Sequence, residues 1–228
     1  MAKVATPEKV NQAAWRQRAV SRSLSAARSR AEQRVQRFLD AACELIDRNG
    51  STEFTIQEVV DRSKQSLRGF YQYFDSKDEL LLALFEESIR ESAEDIREVV
   101  EAESEAIERL RAFTIRLHEW CEPAETPRKR GAHNRRPISE FSLQLAISHP
   151  ERVRAAMEPI SRMLLDLLDA AVAAGAIQVS DTQHAAALLQ QIVMFSWFGN
   201  HLVQSTRMRV TAEETWEFCY RGLRGLRG

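Results

Sequence analysis

The sequence predicts an all-α protein of about nine helices, and three observations carry that prediction. Apolar positions recur at i, i+3, i+4 and i+7 along most of the 228 residues, and no segment shows a convincing period-two alternation bounded by turn residues. Ser/Thr-x-x-Glu/Gln capping boxes stand at Thr55/Glu58, Ser76/Glu79, Ser180/Gln183 and Thr211/Glu214, each ahead of an apolar periodic run. Hydrophobic residues at 44%, with only eight glycines and six prolines, exclude wholesale disorder and fibrous repeats, so the helices have a core to share.

The first helix is expected from about Arg30 to Arg48, with Phe38, Leu39, Ala42, Leu45 and Ile46 on one face and Asn49-Gly50 as its left-handed stop. A second begins at Thr55 and ends near Arg62. A third, about Leu67 to Phe74, follows the polar turn Ser63-Lys64-Gln65-Ser66, and two such short helices read as a helix-turn-helix. The fourth starts after Ser76, carries Leu80, Leu81, Leu84 and Phe85, and continues into the acidic stretch from Glu91 to Glu108, the solvated face of an amphipathic helix. The next runs from Glu105 to Cys121 and is stopped by Pro123. Ile138 to Ser148 follows, and then a long helix from Pro150 to Ala174, with Gly175 past its end and Pro159 expected to kink it. Segments near Asp181 to Val203 and Thr211 to Leu223 complete the chain, the former apolar nearly all round and so expected to be covered on every side by its own domain and a partner.

Charge is unevenly placed. Residues 1 to 37 hold nine Lys or Arg against Glu8 and Glu32, whereas the whole chain is at -1, so a basic arm precedes an acidic remainder. That is the pattern of a protein whose one end meets a polyanion, and equally of a solubilising tail. A second basic cluster, Arg128 to Arg136, lies between Pro127 and Pro137 and reads as an exposed loop. Thr182 to Thr206 carries no formal charge and is long enough to span a bilayer, but the Gln, His and Asn residues spread through it favour a buried helix, with no membrane role. No secretory signal follows the N-terminal basic residues, and Cys43, Cys121 and Cys219 suit neither a disulfide framework nor a metal knuckle. The expectation is reduced thiols in a cytoplasmic protein.

Residues 55 to 80, TIQEVVDRSKQSLRGFYQYFDSKDEL, resemble the N-terminal DNA-binding domain of the TetR (tetracycline repressor) family of transcriptional regulators. The resemblance rests on Thr55, Val59-Val60, Ser66, Tyr71-Gln72-Tyr73-Phe74, Ser76-Lys77 and Asp78-Glu79-Leu80, and it covers about 50 residues from Arg34 to Phe85. The departures are Lys64-Gln65 where the family has Gly-Val, and Arg68 where a glycine often stands, with Gly69 shifted by one. The domains expected are an arm over 1–30, a helix-turn-helix domain over 31–80 and a larger helical domain over 81–228.

The chemistry of the motif fits the resemblance. Leu67, Phe70, Tyr71 and Phe74 share one flank of the third helix, leaving Ser66, Arg68, Gly69 and Gln72 for the other, a mixture able to reach base edges in a major groove. Arg68 can pair with a guanine and Gln72 with an adenine; Tyr71, Tyr73 and Lys77 are of types that hold phosphates, as does Thr55 at a helix N-terminus. The DNA-contacting set expected is therefore Thr55, Gln57, Ser66, Leu67, Arg68, Gly69, Tyr71, Gln72, Tyr73 and Lys77.

The resemblance further implies a homodimer formed through the last two helices, Ala186 to Val203 and Trp216 to Leu223, and a small-molecule pocket in the larger domain. For a small hydrophobic effector the expected pocket residues are His118, Trp120, Phe141, Met194 and Phe198, set among side chains that otherwise fill core. No Gly-rich phosphate loop, H-E-x-x-H, G-x-S-x-G or paired Cys/His at ligand spacing is present, so no enzyme, catalytic residue, cofactor or metal is expected. The function expected is a ligand-responsive repressor whose homodimer binds palindromic double-stranded DNA. A TetR-like activator or ligand-independent regulator, or a helical enzyme or adaptor, are the competing readings.

Overall fold

The computed structural model describes residues 7–121, 139–202 and 209–225, and every regular element among them is helical. In chain order these are α1 (Pro7–Asn49), α2 (Ile56–Ser63), α3 (Leu67–Tyr71), α4 (Lys77–Glu101), α5 (Ala106–Cys121), α6 (Ser139–Ser148), α7 (Pro150–Ala173), α8 (Thr182–Leu202) and α9 (Ala212–Leu223). The chain divides into two compact units, residues 1–80 and 81–228.

In the first unit α1 starts at Pro7, well before the Arg30 expected from hydrophobic periodicity. Nothing between Pro7 and Gly50 breaks a helix, Ala, Arg and Gln are abundant, and Arg28 reaches Glu32 one turn on at 2.7 Å. Residues 19–30 are exposed throughout, as are Trp15 and Arg16, so this part of the basic arm is helical without being packed. Gly50, at φ 65, ends the helix and donates its N–H to the Ile46 carbonyl at 2.8 Å. The core of the unit gathers Phe38, Leu39, Ala42, Leu45 and Ile46 of α1 with Phe54, Val59, Val60, Phe70 and Phe74. Phe38 meets the edges of Phe70 and Phe74 at 5.5 and 6.1 Å.

In the second unit α5 packs against α7, α8 and α9, and α6 packs on α7. Leu110, Phe113 and Leu117 of α5 and Ile160, Leu164, Leu167 and Leu168 of α7 are buried at its centre. Pro159 lies inside α7, and Gly175, at φ 69, follows its end. Thr211 and Glu214 form the expected capping box at α9. At α8 the cap is Asp181 rather than Ser180: its carboxylate accepts the N–H groups of Gln183 and His184 at 2.9 and 3.0 Å, because the helix starts one residue later than the box predicts. The Arg128 to Arg136 cluster lies outside the described residues.

Candidate nucleic-acid interface

The site is built by two caps and one turn. Thr55 Oγ1 accepts the Glu58 N–H at 3.2 Å, while the Glu58 carboxylate accepts the Thr55 N–H at 2.7 Å and its hydroxyl at 2.9 Å. These hydrogen bonds, the backbone one foremost, hold the Glu58 carboxyl below the usual 4.5. The α2–α3 turn then closes in a Schellman arrangement: Lys64 donates to the Asp61 carbonyl and Gln65 to the Val60 carbonyl, at 3.3 and 3.2 Å. Lys64 adopts φ 55, the conformation that the family's usual glycine takes without cost, so the turn survives the substitution with its geometry kept. The Gln65 amide ties the turn to α1 through the Arg34 carbonyl at 2.8 Å, and Arg62 pairs with Glu44 of α1 at 2.6 Å.

Ser66 caps α3 by accepting the Gly69 N–H at 3.0 Å. A Cβ on Gly69 would stand 3.2 Å from that hydroxyl, tight enough to press on the cap. The helix is shorter than expected, ending at Tyr71, because the chain turns at Gln72 and Tyr73 to bring Phe74 back beside Phe70. So short a helix docks through Phe70 and the following Phe74 alone. Leu67 and Tyr71, which the flank pattern puts with them, are instead 44% and 53% exposed. They join Ser66, Arg68 and Gln72 on one open face, adding an apolar side chain suited to a thymine methyl and a phenol suited to phosphate.

The remaining expected residues belong to the segments on either side of α3 in the chain. Thr55 and Gln57 are exposed at the start of α2, but the Gln57 amide donates to Asp61 at 2.7 Å. Tyr73 is half-buried in the turn after α3. Lys77, also half-buried, holds its ammonium 4.6 Å from the centre of the Phe54 ring, so it opens α4 as part of a cation–π pair rather than as a free charge. Sequence reasoning passed over Lys64, an exposed cation beside the recognition helix; a positive charge within Ser63–Ser66, a turn of polar residues, was the available signal.

Residues 38–84 match the family model described as bacterial regulatory proteins, tetR family. That match makes residues 38–84 a TetR-type DNA-binding domain. The match ends there, and structural likeness extends the fold over most of the remainder. A TetR-family regulatory protein from Rhodococcus RHA1 superposes with a TM-score of 0.61 at 19% identity, covering 83% of this chain and 96% of its own. AibR, in a complex with isovaleryl coenzyme A and operator DNA, gives 0.59 at 20% identity over 84% and 98%. FadR from Bacillus subtilis, with stearoyl-CoA, gives 0.59 at 17% identity over 82% and 98%. No curated protein matches the chain in sequence.

In the second unit His118, Trp120 and Phe141 are buried and Met194 is half-buried, while the side chain of Phe198 lies outside the described residues. The Trp120 indole donates to Asp95 of α4 at 2.6 Å, and the Gln190 amide approaches the Met194 sulfur at 3.8 Å. None of the expected pocket residues lines either of the two clefts described for this unit, one between α4 and α7, the other along α8 and α9. Its own unit leaves part of α8 uncovered, the part for which the expectation of all-round cover invoked a partner. Leu188, Ile192 and Phe195, at i, i+4 and i+7, face solvent, as does Phe218 of α9. Burial pushes the Cys219 thiol of α9 up to about 11. Among the described residues no helix is long and apolar enough to cross a membrane, and no His/Cys/Asp/Glu group could hold a metal.

Proposed function

We propose that this chain is a TetR-family regulator, a cytoplasmic homodimeric repressor that reads a near-palindromic operator and is released by a small effector. The observation that carries the reading is the open face of α3, where Ser66, Leu67, Arg68, Tyr71 and Gln72 stand clear of a helix held from behind by Phe70 and Phe74. One such helix covers only a few base pairs, so two-fold pairing of the protein supplies a site of useful length.

The stripe of Leu188, Ile192 and Phe195 on α8, with Phe218 on α9, supports the dimer: apolar surface at this density calls for a partner, and a second copy brings the same stripe. The effector is supported by the neighbours that carry isovaleryl coenzyme A and stearoyl-CoA, which make an acyl thioester the first class to try.

The arm serves the same reading. Seven basic residues, Lys3, Lys9, Arg16, Arg18, Arg22, Arg28 and Arg30, stand against the single acid Glu8, whereas residues 31–80 hold seven basic and ten acidic residues. The positive field for DNA therefore comes chiefly from the extension of α1. A helix about 10 Å across does not enter a minor groove about 6 Å wide, so phosphates are its target.

The test is a mobility-shift assay with genomic fragments, with and without acyl-CoA, alongside light scattering. Retarded fragments sharing two-fold symmetry, a mass twice 26.1 kDa and release by the thioester are expected. A monomer that still binds DNA tightly would sink the dimer, and binding indifferent to every acyl-CoA would sink that effector class.

A further inference from the structure

In the second unit α4 and α7 face one another across an open cleft of about 580 Å³, within the ~300–1,000 Å³ range of small-molecule sites. Its floor is made of small side chains, Ala93 of α4 and Ala156 of α7, with the exposed Ala155 beside them, which leave space for ligand atoms. Its rim carries three guanidinium groups, Arg90, Arg97 and Arg152, against the carboxylates of Glu86 and Glu94.

The three arginines are differently engaged. Arg90 is fully committed: it holds Glu87 through two bonds of 2.9 and 2.7 Å and Glu94 at 2.7 Å, and these bonds, Glu87 first, raise its pKa. Arg152 reaches across from α7 to Glu86 on α4, at 3.1 and 2.9 Å to one carboxylate oxygen. Arg97 is exposed, and no carboxylate among the described residues pairs with it. The opposite wall supplies an acceptor. Pro159 has no N–H, so the carbonyl of Ala155, four residues earlier and also on the cleft, lacks its intrahelical donor.

An exposed cation with no carboxylate partner among the described residues, a second cation bonded to the half-exposed carboxylate of Glu86, a carbonyl without its intrahelical donor and small apolar side chains all meet in one cleft. We propose that it binds an oxyanion, a phosphate or carboxylate carried on a short apolar body, with Arg97 as the anchor and Arg152 joining it by exchanging Glu86 for the ligand. A donor group on the ligand, hydroxyl or amide, meets the Ala155 carbonyl. The inference rests on the effector reading above and assigns the anionic end of that effector to the α4–α7 cleft, away from His118, Trp120, Phe141 and Met194.

Calorimetry on the full-length, DNA-free dimer tests it, with three probes: coenzyme A, isovaleryl coenzyme A and isovalerate. Binding of the two phosphate-bearing probes with isovalerate silent identifies a phosphate site, and the reverse a carboxylate site; either supports the proposal. Arg97→Ala should then weaken binding at least tenfold and Arg97→Lys recover part of the loss. Arg154→Ala, which removes an α7 arginine outside the cleft, should change it less than twofold. Ala156→Leu, filling the floor, should abolish binding of the acylated probe by a route independent of charge. No binding of any probe at millimolar concentration, or equal losses for Arg97→Ala and Arg154→Ala, would overturn the site. If a probe binds through Arg97 yet leaves operator affinity unchanged, the cleft stands and the effector reading fails. If another ligand releases DNA while all three probes are silent, the effector reading stands and the cleft fails.

Discussion

Lys64 offers a test of the helix-turn-helix in which the sign of the effect decides. It sits at φ 55 and ψ 39, the one non-glycine residue with positive φ among the described residues. Left-handed backbone costs a residue with a Cβ about 1–2 kcal/mol. Glycine escapes that cost but brings more freedom to the unfolded chain, which takes back about 0.4–1 kcal/mol. Comparing Lys64→Gly with Lys64→Ala isolates the conformational effect, since both lose the exposed lysine side chain and only alanine keeps the Cβ. The glycine variant should be the more stable by about 0.5–1 kcal/mol, whereas inside an ordinary helix it would be the less stable by about 1 kcal/mol. Urea unfolding followed by helical circular dichroism measures the difference. Amide exchange at Gln65, whose N–H bonds to the Val60 carbonyl, localises it and should run faster in the alanine variant. An alanine variant as stable as the glycine one would refute the left-handed assignment and the Schellman turn with it.

Further outcomes follow from the same geometry. Arg68→Ala should lose discrimination at particular base pairs while Lys77→Ala weakens all sequences alike, and unchanged base preference in the Arg68 variant would remove that residue from the base contacts. Lys77→Ala should also cost about 0.5–1 kcal/mol of stability, measured by urea unfolding, for the lost cation–π pair with Phe54. Deleting residues 1–30 should leave the fold intact, because residues 19–30 pack on nothing in it, and should lower the slope of log affinity against log salt by several units per dimer at about 0.9 per phosphate. Equal slopes would deny the arm its phosphates. Glu58 and Glu214 have folded pKa values below the ordinary 4.5, so their capping boxes add stability above the unfolded value, and that support is lost as pH falls through the folded one. Carboxylate titration by NMR should place both midpoints below 4.5, and the variants Glu58→Gln and Glu214→Gln should flatten the acid limb of the stability curve. Phe195→Glu, which places a charge within the exposed α8 stripe, should convert the dimer to monomer in light scattering without loss of helix.

What the sequence revealed was whatever is decided within a few residues. The Thr55/Glu58 and Thr211/Glu214 boxes form as the spacing predicts, because a cap and its N3 partner are neighbours by construction. The helix over 7–30 lies ahead of the start expected at Arg30 because periodicity detects a buried face, and Trp15, Arg16 and residues 19–30 bury none; propensity and the absence of breakers keep the segment helical. Ser180 and Asp181 are both good caps, and only the start of α8 chooses between them. The exposure of Leu67 and Tyr71 follows from the five-residue length of α3, which the run through Phe74 conceals. The α4–α7 cleft joins residues more than 50 positions apart; nothing local to Arg97 in an acidic stretch announces Pro159 or Arg152. Asp95, which receives the Trp120 indole, is hidden for the same reason.

The central claim is that α3 of a paired protein reads DNA sequence, and selection of binding sites from a randomised duplex pool tests it most directly. The wild-type protein should enrich two inverted half-sites with centres about one helical turn, ~34–36 Å, or a multiple of it apart. The Arg68→Ala protein, carried through the same rounds, should lose preference at the same one or two positions in each half. An unenriched pool, or a single asymmetric site selected equally well by wild-type and Arg68→Ala protein, would contradict the account.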